Sequence, residues 1–232
     1  MLKLEELYHK GHTFYMYHKD TSFKLTTDSV LVADFIKLTK KDNRLVDFGT
    51  GLGTILLLVA ARSTISMIGL ELDSETAAIA RETVKYNHLE NQIQIITTRI
   101  QDVSNYIANN SIDVVISNPP YFKVYEASPL NSTRTKMVAR HEIEITFEEL
   151  VQSANKILKE HGRFVFIHRV DRMIEILEIL KKYKFEPKRM RMIHDTKEQG
   201  AVLFLMEATK QGKSGLKIEA PLILEHLVKV NR

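Results

Sequence analysis

The sequence predicts an α/β fold: an open αβα sandwich with a mostly parallel seven-stranded sheet and an antiparallel hairpin at its C-terminal end. Short apolar segments of strand length alternate along the chain with segments that have a helical period. Strands that are apolar on both faces are typical of a parallel sheet covered by helices on both sides. Only residues 194–200 separate the last two predicted strands. Because this gap is too short for a helical crossover, we expect these two strands to pair antiparallel.

Two regions are expected along the chain, an N-terminal extension at residues 1–44 and a core domain at residues 45–232. The extension is expected to pack on the core and to contain a helix at residues 29–38, which Asp28 caps. The predicted strands of the core lie at residues 45–48, 67–71, 93–97, 112–117, 163–168, 189–193 and 201–208. The predicted helices lie at residues 55–61, 73–87, 147–159 and 171–182. We also expect a turn at residues 160–162 and a flexible surface loop at residues 210–215.

The composition excludes several classes of protein. The chain has 232 residues, of which 44% are hydrophobic and 27% charged, as is usual for a soluble globular domain. It has no cysteine, which excludes disulfides and thiolate chemistry and suits the reducing cytoplasm, where we expect the protein. The longest apolar stretch, residues 55–61, is too short to span a bilayer, and the first residues do not form a signal peptide. The net charge of +4 permits a polyanionic partner without requiring one.

A glycine-rich turn lies between the first strand and the first helix of the core. Its glycines are Gly49, Gly51 and Gly53. They let the backbone approach a ligand, and the helix that follows offers free N–H groups. A dinucleotide-binding turn would read G-x-G-x-x-G, whereas here Asp47 precedes a G-x-G-x-G pattern. Its carboxylate would repel a pyrophosphate but attract the cationic amino group of S-adenosylmethionine. The turn therefore favours a methyl-donor site, and the alternative is a strand–helix turn kept tight for steric reasons.

Two further acids follow neighbouring strands of the predicted sheet. Glu71 ends the second strand, where a carboxylate can accept two hydrogen bonds from ribose hydroxyls. Asp102 follows the third strand and could accept a hydrogen bond from an adenine amino group. Together with the glycine turn, these acids predict a nucleoside pocket at the carboxyl edge of the sheet.

The fourth strand ends in an Asn-Pro-Pro-Tyr segment, whose residues are Asn118, Pro119, Pro120 and Tyr121. The two prolines fix φ, so the carbonyl groups of Asn118 and Pro119 are held stiffly. An asparagine side chain beside a rigid carbonyl forms a pair of acceptors for one –NH2 group, and such a pair would stabilise the charge that develops as the nitrogen attacks a methyl group. Tyr121 offers a ring on which a planar substrate can stack. A simple turn at the end of a strand is the alternative interpretation.

With these motifs, the chain resembles the class I S-adenosylmethionine-dependent methyltransferases that act on nitrogen. Within that class it is most similar to the bacterial family that methylates N6 of an adenine in the anticodon loop of valine tRNA. The resemblance extends to residues 23–33, 100–102, 139–142 and 215–222. It implies a Rossmann-like fold, S-adenosylmethionine as cofactor and RNA, in particular tRNA, as partner.

The resemblance also implies roles for individual residues. Asp47 and the three glycines would hold the methionine part of the cofactor, Glu71 the ribose and Asp102 the adenine. Thr26 and Asp28 would line the cofactor from the N-terminal side, residues 118–121 would receive the target nitrogen, and Asn118 would also contact the cofactor. The same motif occurs in methyltransferases that act on guanine N2 in rRNA or on glutamine N5 in proteins, so these substrates stay open. Only about 44 residues precede the first core strand, which counts against the protein substrate.

Basic residues after the Asn-Pro-Pro-Tyr segment suit the backbone of an RNA substrate. They are Lys123, Arg134, Lys136 and Arg140. A solvated surface loop would have the same composition. No spacing of histidines and acids predicts a metal site, and no segment predicts membrane binding. A non-catalytic RNA-binding protein with this fold is the remaining alternative, although binding alone would not need a paired acceptor for –NH2.

Overall fold

A central sheet and a separate hairpin contain the β-strands of the part of the chain described by this computed structural model, residues 2–19, 27–119 and 145–225. The strands are β1 (Lys3–His9), β2 (His12–His18), β3 (Arg44–Phe48), β4 (Ser66–Glu71), β5 (Ile93–Thr97), β6 (Ile112–Ser117), β7 (Leu158–Arg169), β8 (Phe185–His194), β9 (Leu203–Lys210), β10 (Lys217–Ile218) and β11 (Leu222–Ile223). The sheet has the order β10-β8-β9-β7-β6-β3-β4-β5, with β11 also paired to β8. Within it only β9 runs antiparallel to its neighbours, among the described residues.

The structure confirms that the sheet is mostly parallel and that it contains the seven predicted strands. The strands that were not predicted in this sheet are β10 and β11, which have two residues each and pair with the edge strand β8. The hairpin of β8 and β9 is antiparallel as expected, because its loop cannot hold a crossover.

Helices cover both faces of the sheet, as the apolar strands predict. They are α1 (Thr27–Phe35), α2 (Thr54–Ala60), α3 (Ser74–Tyr86), α4 (Phe147–Ile157) and α5 (Met173–Lys182), with short 3₁₀ helices at Ile100–Asn105 and Val170–Arg172. Successive strand residues alternate between the two cores: Val114 packs with α1, α2 and α3, and Val115 packs with α4 and α5. Because β3 to β7 pair in parallel, their carboxyl ends meet at one edge of the sheet.

The N-terminal hairpin of β1 and β2 was not predicted. Its turn is Lys10-Gly11, and both residues have positive φ (48° and 86°), which gives the strands their right-handed twist. The hairpin is held on α3 by backbone hydrogen bonds as well as by side-chain contacts, such as those of Tyr15 and Tyr17 with Tyr86. Tyr15 N–H donates to Asn87 Oδ1 (2.9 Å), Asn87 Nδ2 donates back to the Tyr15 carbonyl oxygen (2.6 Å), and Tyr17 N–H donates to Thr83 Oγ1 (3.0 Å).

Three local predictions are wrong. Helix α1 begins at Thr27, so Asp28 lies in its first turn and does not cap it, although a carboxylate there still interacts favourably with the helix dipole. The predicted turn at residues 160–162 is an irregularity inside β7: His161 has φ 61°, and the register with β6 shifts there. The predicted surface loop at residues 210–215 begins one residue too early: Lys210 belongs to β9, and its buried ammonium group donates to Asn110 Oδ1 and to two carbonyl oxygens, whereas residues 211–215 lie outside the strands and are mostly exposed.

Candidate active site

The glycine turn after β3 has the backbone geometry that only glycine adopts readily. Gly49, Gly51 and Gly53 have φ of 72°, 56° and 84°. The N–H groups of Gly49 and Thr50 both donate to the carbonyl oxygen of Leu70, at 3.0 Å and 2.9 Å. These bonds fix the turn against the end of β4, so that the N-terminus of α2 faces the carboxyl edge of the sheet.

Glu71 ties this turn to the beginning of α3. Its side chain is buried at the end of β4, Oε2 accepts a hydrogen bond from Gly51 N–H, and Oε1 accepts one from Asp73 N–H, both at 2.9 Å. A carboxylate has about four lone-pair sites, so each oxygen retains capacity for a second donor. The position of Glu71 thus suits a ligand with two neighbouring hydroxyl groups, and its backbone contacts also make it part of the structure of the turn.

Asp47 is a buried acid with no hydrogen-bond partner among the described residues. Both carboxylate oxygens lack a partner, and so does Thr50 Oγ1. Burial, and to a smaller extent the charge of Glu71, raise the pKa of Asp47 to about 7; the nearby Thr50 hydroxyl opposes part of this rise without forming a hydrogen bond. An isolated buried carboxylate is costly unless a cation or donor reaches it. Asp47 is therefore suited to a cationic ligand.

Asn118 follows β6 at the same edge and is half-buried. Ser117 Oγ donates to the Phe48 carbonyl oxygen (2.9 Å), which joins the end of β6 to the end of β3. Asn118 Nδ2 donates to Ser29 Oγ on α1 (3.3 Å). This contact occupies the donor end of the amide and so orients Oδ1, its acceptor end. Sequence reasoning missed Ser29, since nothing in a local pattern links two residues 89 positions apart.

Of the remaining predicted site residues, the structure describes Asp102, Asp28 and Pro119, and the others lie outside the described residues. Asp102 is exposed in the 3₁₀ helix that follows β5, and Asp28 is half-buried in the first turn of α1. Pro119 is half-buried beside Asn118. The predicted residues that lie outside the described ones are Thr26, Pro120, Tyr121, Lys123, Arg134, Lys136 and Arg140.

Comparison with known proteins decides the family. The methyltransferase small domain family matches residues 24–186, which include the glycine turn, Glu71 and the Asn-Pro-Pro-Tyr segment. The chain belongs to this family. Its members are methyltransferases by name, so the predicted class of enzyme is confirmed at this level.

Named relatives agree with this family. A relative from Bacteroides fragilis, the tRNA1(Val) (adenine(37)-N6)-methyltransferase, is 29% identical over 182 residues, which cover 78% of this chain and 74% of the relative. A relative of the same name from Photobacterium profundum is 27% identical over 206 residues, covering 86% of this chain and 84% of the relative.

Solved structures confirm the Rossmann-like methyltransferase fold. A "predicted O-methyltransferase" from Agrobacterium tumefaciens has a TM-score of 0.68 at 23% identity, with 85% of this chain and 87% of that chain covered. The Thermus thermophilus 16S rRNA N2 G1207 methyltransferase, in complex with AdoMet and guanosine, has a TM-score of 0.63 at 19% identity, with 90% of this chain and 50% of that chain covered. At these identities the likeness concerns the fold. None of the helices within the described residues of this methyltransferase is long and apolar enough to cross a membrane.

Proposed function

We propose that this methyltransferase transfers a methyl group from S-adenosylmethionine to the exocyclic N6 of an adenine in RNA, in particular in the anticodon loop of a tRNA. The observation that carries the proposal is the position of Asn118, at the end of β6 beside the glycine turn, with its amide oriented by Ser29. The tRNA1(Val) (adenine(37)-N6)-methyltransferases among its relatives support an adenine in tRNA as the substrate.

The residues at the carboxyl edge fit the cofactor. S-adenosylmethionine carries a cationic amino group, which matches the unpartnered buried carboxylate of Asp47, and a ribose, whose two hydroxyls match Glu71. The positive φ values of the three glycines permit close approach of the backbone to the methionine part. Asp102, Asp28 and Thr26 are proposed as further contacts, with Asp102 on the adenine.

Asn118 and Pro119 would bind the target amine. Oδ1 of Asn118 and the backbone carbonyl oxygen of Pro119 each accept one N–H, which aligns the nitrogen lone pair away from both acceptors. When bound, S-adenosylmethionine would supply an electrophilic methyl group, whose bond to sulfur breaks as the bond to nitrogen forms and leaves S-adenosylhomocysteine. The amine therefore need not lose a proton first, and one N6 proton would leave to water after transfer. An adenine must leave its stack to reach Asn118, and Tyr121 is proposed to stack on the flipped base.

Transfer of labelled methyl groups tests the proposal directly. With small RNA and ribosomal RNA from a strain that lacks this protein offered separately, we expect label from S-adenosylmethionine to enter the small RNA and the digested product to be N6-methyladenosine. Release factors are assayed in parallel, because an Asn-Pro-Pro-Tyr segment could also hold a glutamine amide. Label in the protein fraction, or in N2-methylguanosine, would contradict the adenine proposal and indicate a glutamine or a guanine substrate instead.

Guanine N2 in rRNA is the second candidate. It is favoured by the structural likeness to a 16S rRNA N2 methyltransferase, and an exocyclic –NH2 on guanine would meet the same acceptor pair. The identity of the labelled nucleoside distinguishes the two functions.

The raised pKa of Asp47 predicts that cofactor binding depends on pH. The native carboxyl has a pKa of about 7, against 3.8 ordinarily, so the free protein holds this proton more tightly than the unfolded chain does. The stability of the free protein should therefore fall as pH rises from about 4 to about 7. The cationic cofactor favours the carboxylate, so affinity should rise between about pH 6 and about pH 7.5 with release of a proton.

Calorimetry in two buffers of different ionisation enthalpy measures that proton release. In Asp47→Asn we expect weaker binding, no proton release from this site and a smaller loss of stability across the same pH range. Equal proton release by the wild type and by Asp47→Asn would contradict the assignment.

Ser29 is expected to set the direction of the Asn118 amide. Ser29→Ala removes a hydrogen bond worth about 1 kcal/mol, so we expect kcat to fall roughly fivefold with an unchanged dissociation constant for the cofactor. Ser29→Thr retains the hydroxyl group and should restore most of kcat. Steady-state kinetics and thermal melting check this together; a lower melting temperature with unchanged kcat in Ser29→Ala would assign Ser29 a purely structural role.

A further inference from the structure

Two arginines, the last residue of β7 and a residue just after it, lie at the edge of the sheet that carries Asn118. Strand β7 is the direct neighbour of β6, and Ser117 pairs with Phe166 in their register. Arg169 ends β7, three residues beyond Phe166, and Arg172 ends the short 3₁₀ helix that comes next. Because adjacent strands are about 4.8 Å apart, the end of β7 that carries Arg169 lies at the same edge of the sheet as Asn118, and Arg172 follows three residues later. Arg169 is exposed and Arg172 is half-buried.

The turn that carries these arginines is held firmly. His168 is buried, its Nδ1 accepts the backbone N–H of Arg169 (2.8 Å), and its ring lies edge-to-face on Phe147 with centroids 5.6 Å apart. Val170 N–H donates to the Val202 carbonyl oxygen (3.2 Å). Burial and, to a smaller extent, the charge of Arg172 lower the pKa of His168 to about 4, so the ring is neutral at neutral pH. The backbone of the two arginines is thus fixed in advance of any ligand.

Each of the two guanidinium groups pairs with a nearby carboxylate. Arg169 forms a bidentate pair with Asp171, with Nη2–Oδ2 at 2.8 Å and Nε–Oδ1 at 3.3 Å, and both side chains are about half exposed. Arg172 pairs in the same way with Glu175, at 2.7 Å and 3.3 Å. Exposed ion pairs such as Arg169–Asp171 contribute only about 0–1 kcal/mol, whereas the Arg172 side chain is only 16% exposed. A phosphate matches the same fork of donors as a carboxylate, so it can replace Asp171 on Arg169 at low cost and fits the fork of Arg172 in the same way.

We infer that Arg169 and Arg172 bind phosphates of the RNA strand next to the target nucleotide. The inference rests on the proposed function, since it needs an RNA substrate whose base reaches Asn118. Phosphate contacts fix the position of a strand without reading its sequence, so these residues would hold the flipped nucleotide at the acceptor pair. They would add to the basic residues predicted between positions 123 and 140.

Binding of a labelled anticodon stem-loop hairpin, measured by fluorescence anisotropy at several salt concentrations with S-adenosylhomocysteine present, tests this inference. Arg169→Gln and Arg172→Gln should each weaken RNA binding several-fold and lower the slope of log K against log salt by about 0.7–0.9. The dissociation constant of S-adenosylhomocysteine should not change. Lys181→Gln removes one exposed positive charge near the far end of α5 and should leave both the affinity and the slope at wild-type values.

The Asp171→Asn variant distinguishes two roles of Arg169, as a contact to RNA phosphate or as one half of a structural ion pair. If Arg169 binds phosphate, loss of the competing carboxylate should strengthen RNA binding; if the pair only supports the fold, Asp171→Asn should weaken binding as Arg169→Gln does. Wild-type affinity and salt slope in both arginine variants would overturn the inference. A wild-type protein that neither binds nor methylates RNA would instead overturn the proposed function itself.

Discussion

Asn118→Ala should reduce methyl transfer by about 10²–10³-fold, since removal of one preorganised hydrogen-bonding group from a transition-state site costs about that much. The variant loses the acceptor Oδ1 and the contact of Nδ2 with Ser29, whereas the glycine turn and Glu71 keep their backbone bonds. Cofactor affinity should therefore change little. Single-turnover transfer of labelled methyl groups gives the chemical step, and calorimetry gives the affinity.

Matched variants keep this result interpretable. Asn118→Asp retains a side-chain acceptor and should keep more activity than Asn118→Ala, while Asn91→Ala removes an exposed asparagine that precedes β5 and should have wild-type activity. Unchanged turnover in Asn118→Ala would exclude Asn118 as the acceptor of the target amine.

Glu71→Ala should weaken cofactor binding by about 3 kcal/mol, or roughly a hundredfold, through loss of the hydrogen bonds from two ribose hydroxyls to a charged acceptor. The backbone N–H groups of Gly51 and Asp73 would also lose their acceptor, so the free energy of unfolding should fall as well. Isothermal titration and urea unfolding measure the two effects separately.

Variants near Glu71 distinguish its contact with the ligand from its support of the turn. Glu71→Gln keeps one acceptor oxygen and should bind the cofactor more tightly than Glu71→Ala. Glu75 is an exposed acid in the first turn of α3 and pairs with Lys19. Glu75→Ala should therefore leave cofactor affinity close to that of the wild type. A titration in which Glu71→Ala binds the cofactor like the wild type would remove Glu71 from the site.

Much of the core fold could be predicted because local and long-range preferences agree there. Strands β5 and β6 have the predicted bounds, since each is a short run of apolar and β-branched residues between turn residues. The N-terminal hairpin was missed because its strands are largely exposed and bury few side chains, among them Leu7 and Met16. Strands β10 and β11 are too short to have a pattern of their own.

Part of the candidate site could likewise be predicted from the sequence, and part depends on contacts between distant residues. The glycines, Asp47 and Glu71 could be predicted because parallel strands bring residues at their carboxyl ends to one edge. The contact of Ser29 with Asn118 and the support of Arg169 by His168 could not. The first depends on how α1 packs beside β6, and the second on a buried ring whose environment forms only when α4 covers β7.

The attachment of the N-terminal hairpin has a consequence for how this protein can change during evolution. Asn87 recognises the N–H and carbonyl groups of Tyr15, which almost every amino acid possesses, whereas the rings of Tyr15 and Tyr17 pack edge-to-face on Tyr86. Substitutions at exposed hairpin positions therefore leave the two hydrogen bonds with Asn87 intact, and only those at the tyrosines also remove a ring contact. The exposed positions outside these contacts can accumulate sequence variation at little cost in stability, which makes them places where related proteins could diverge in the partners they recognise while the chemistry at the sheet edge is retained.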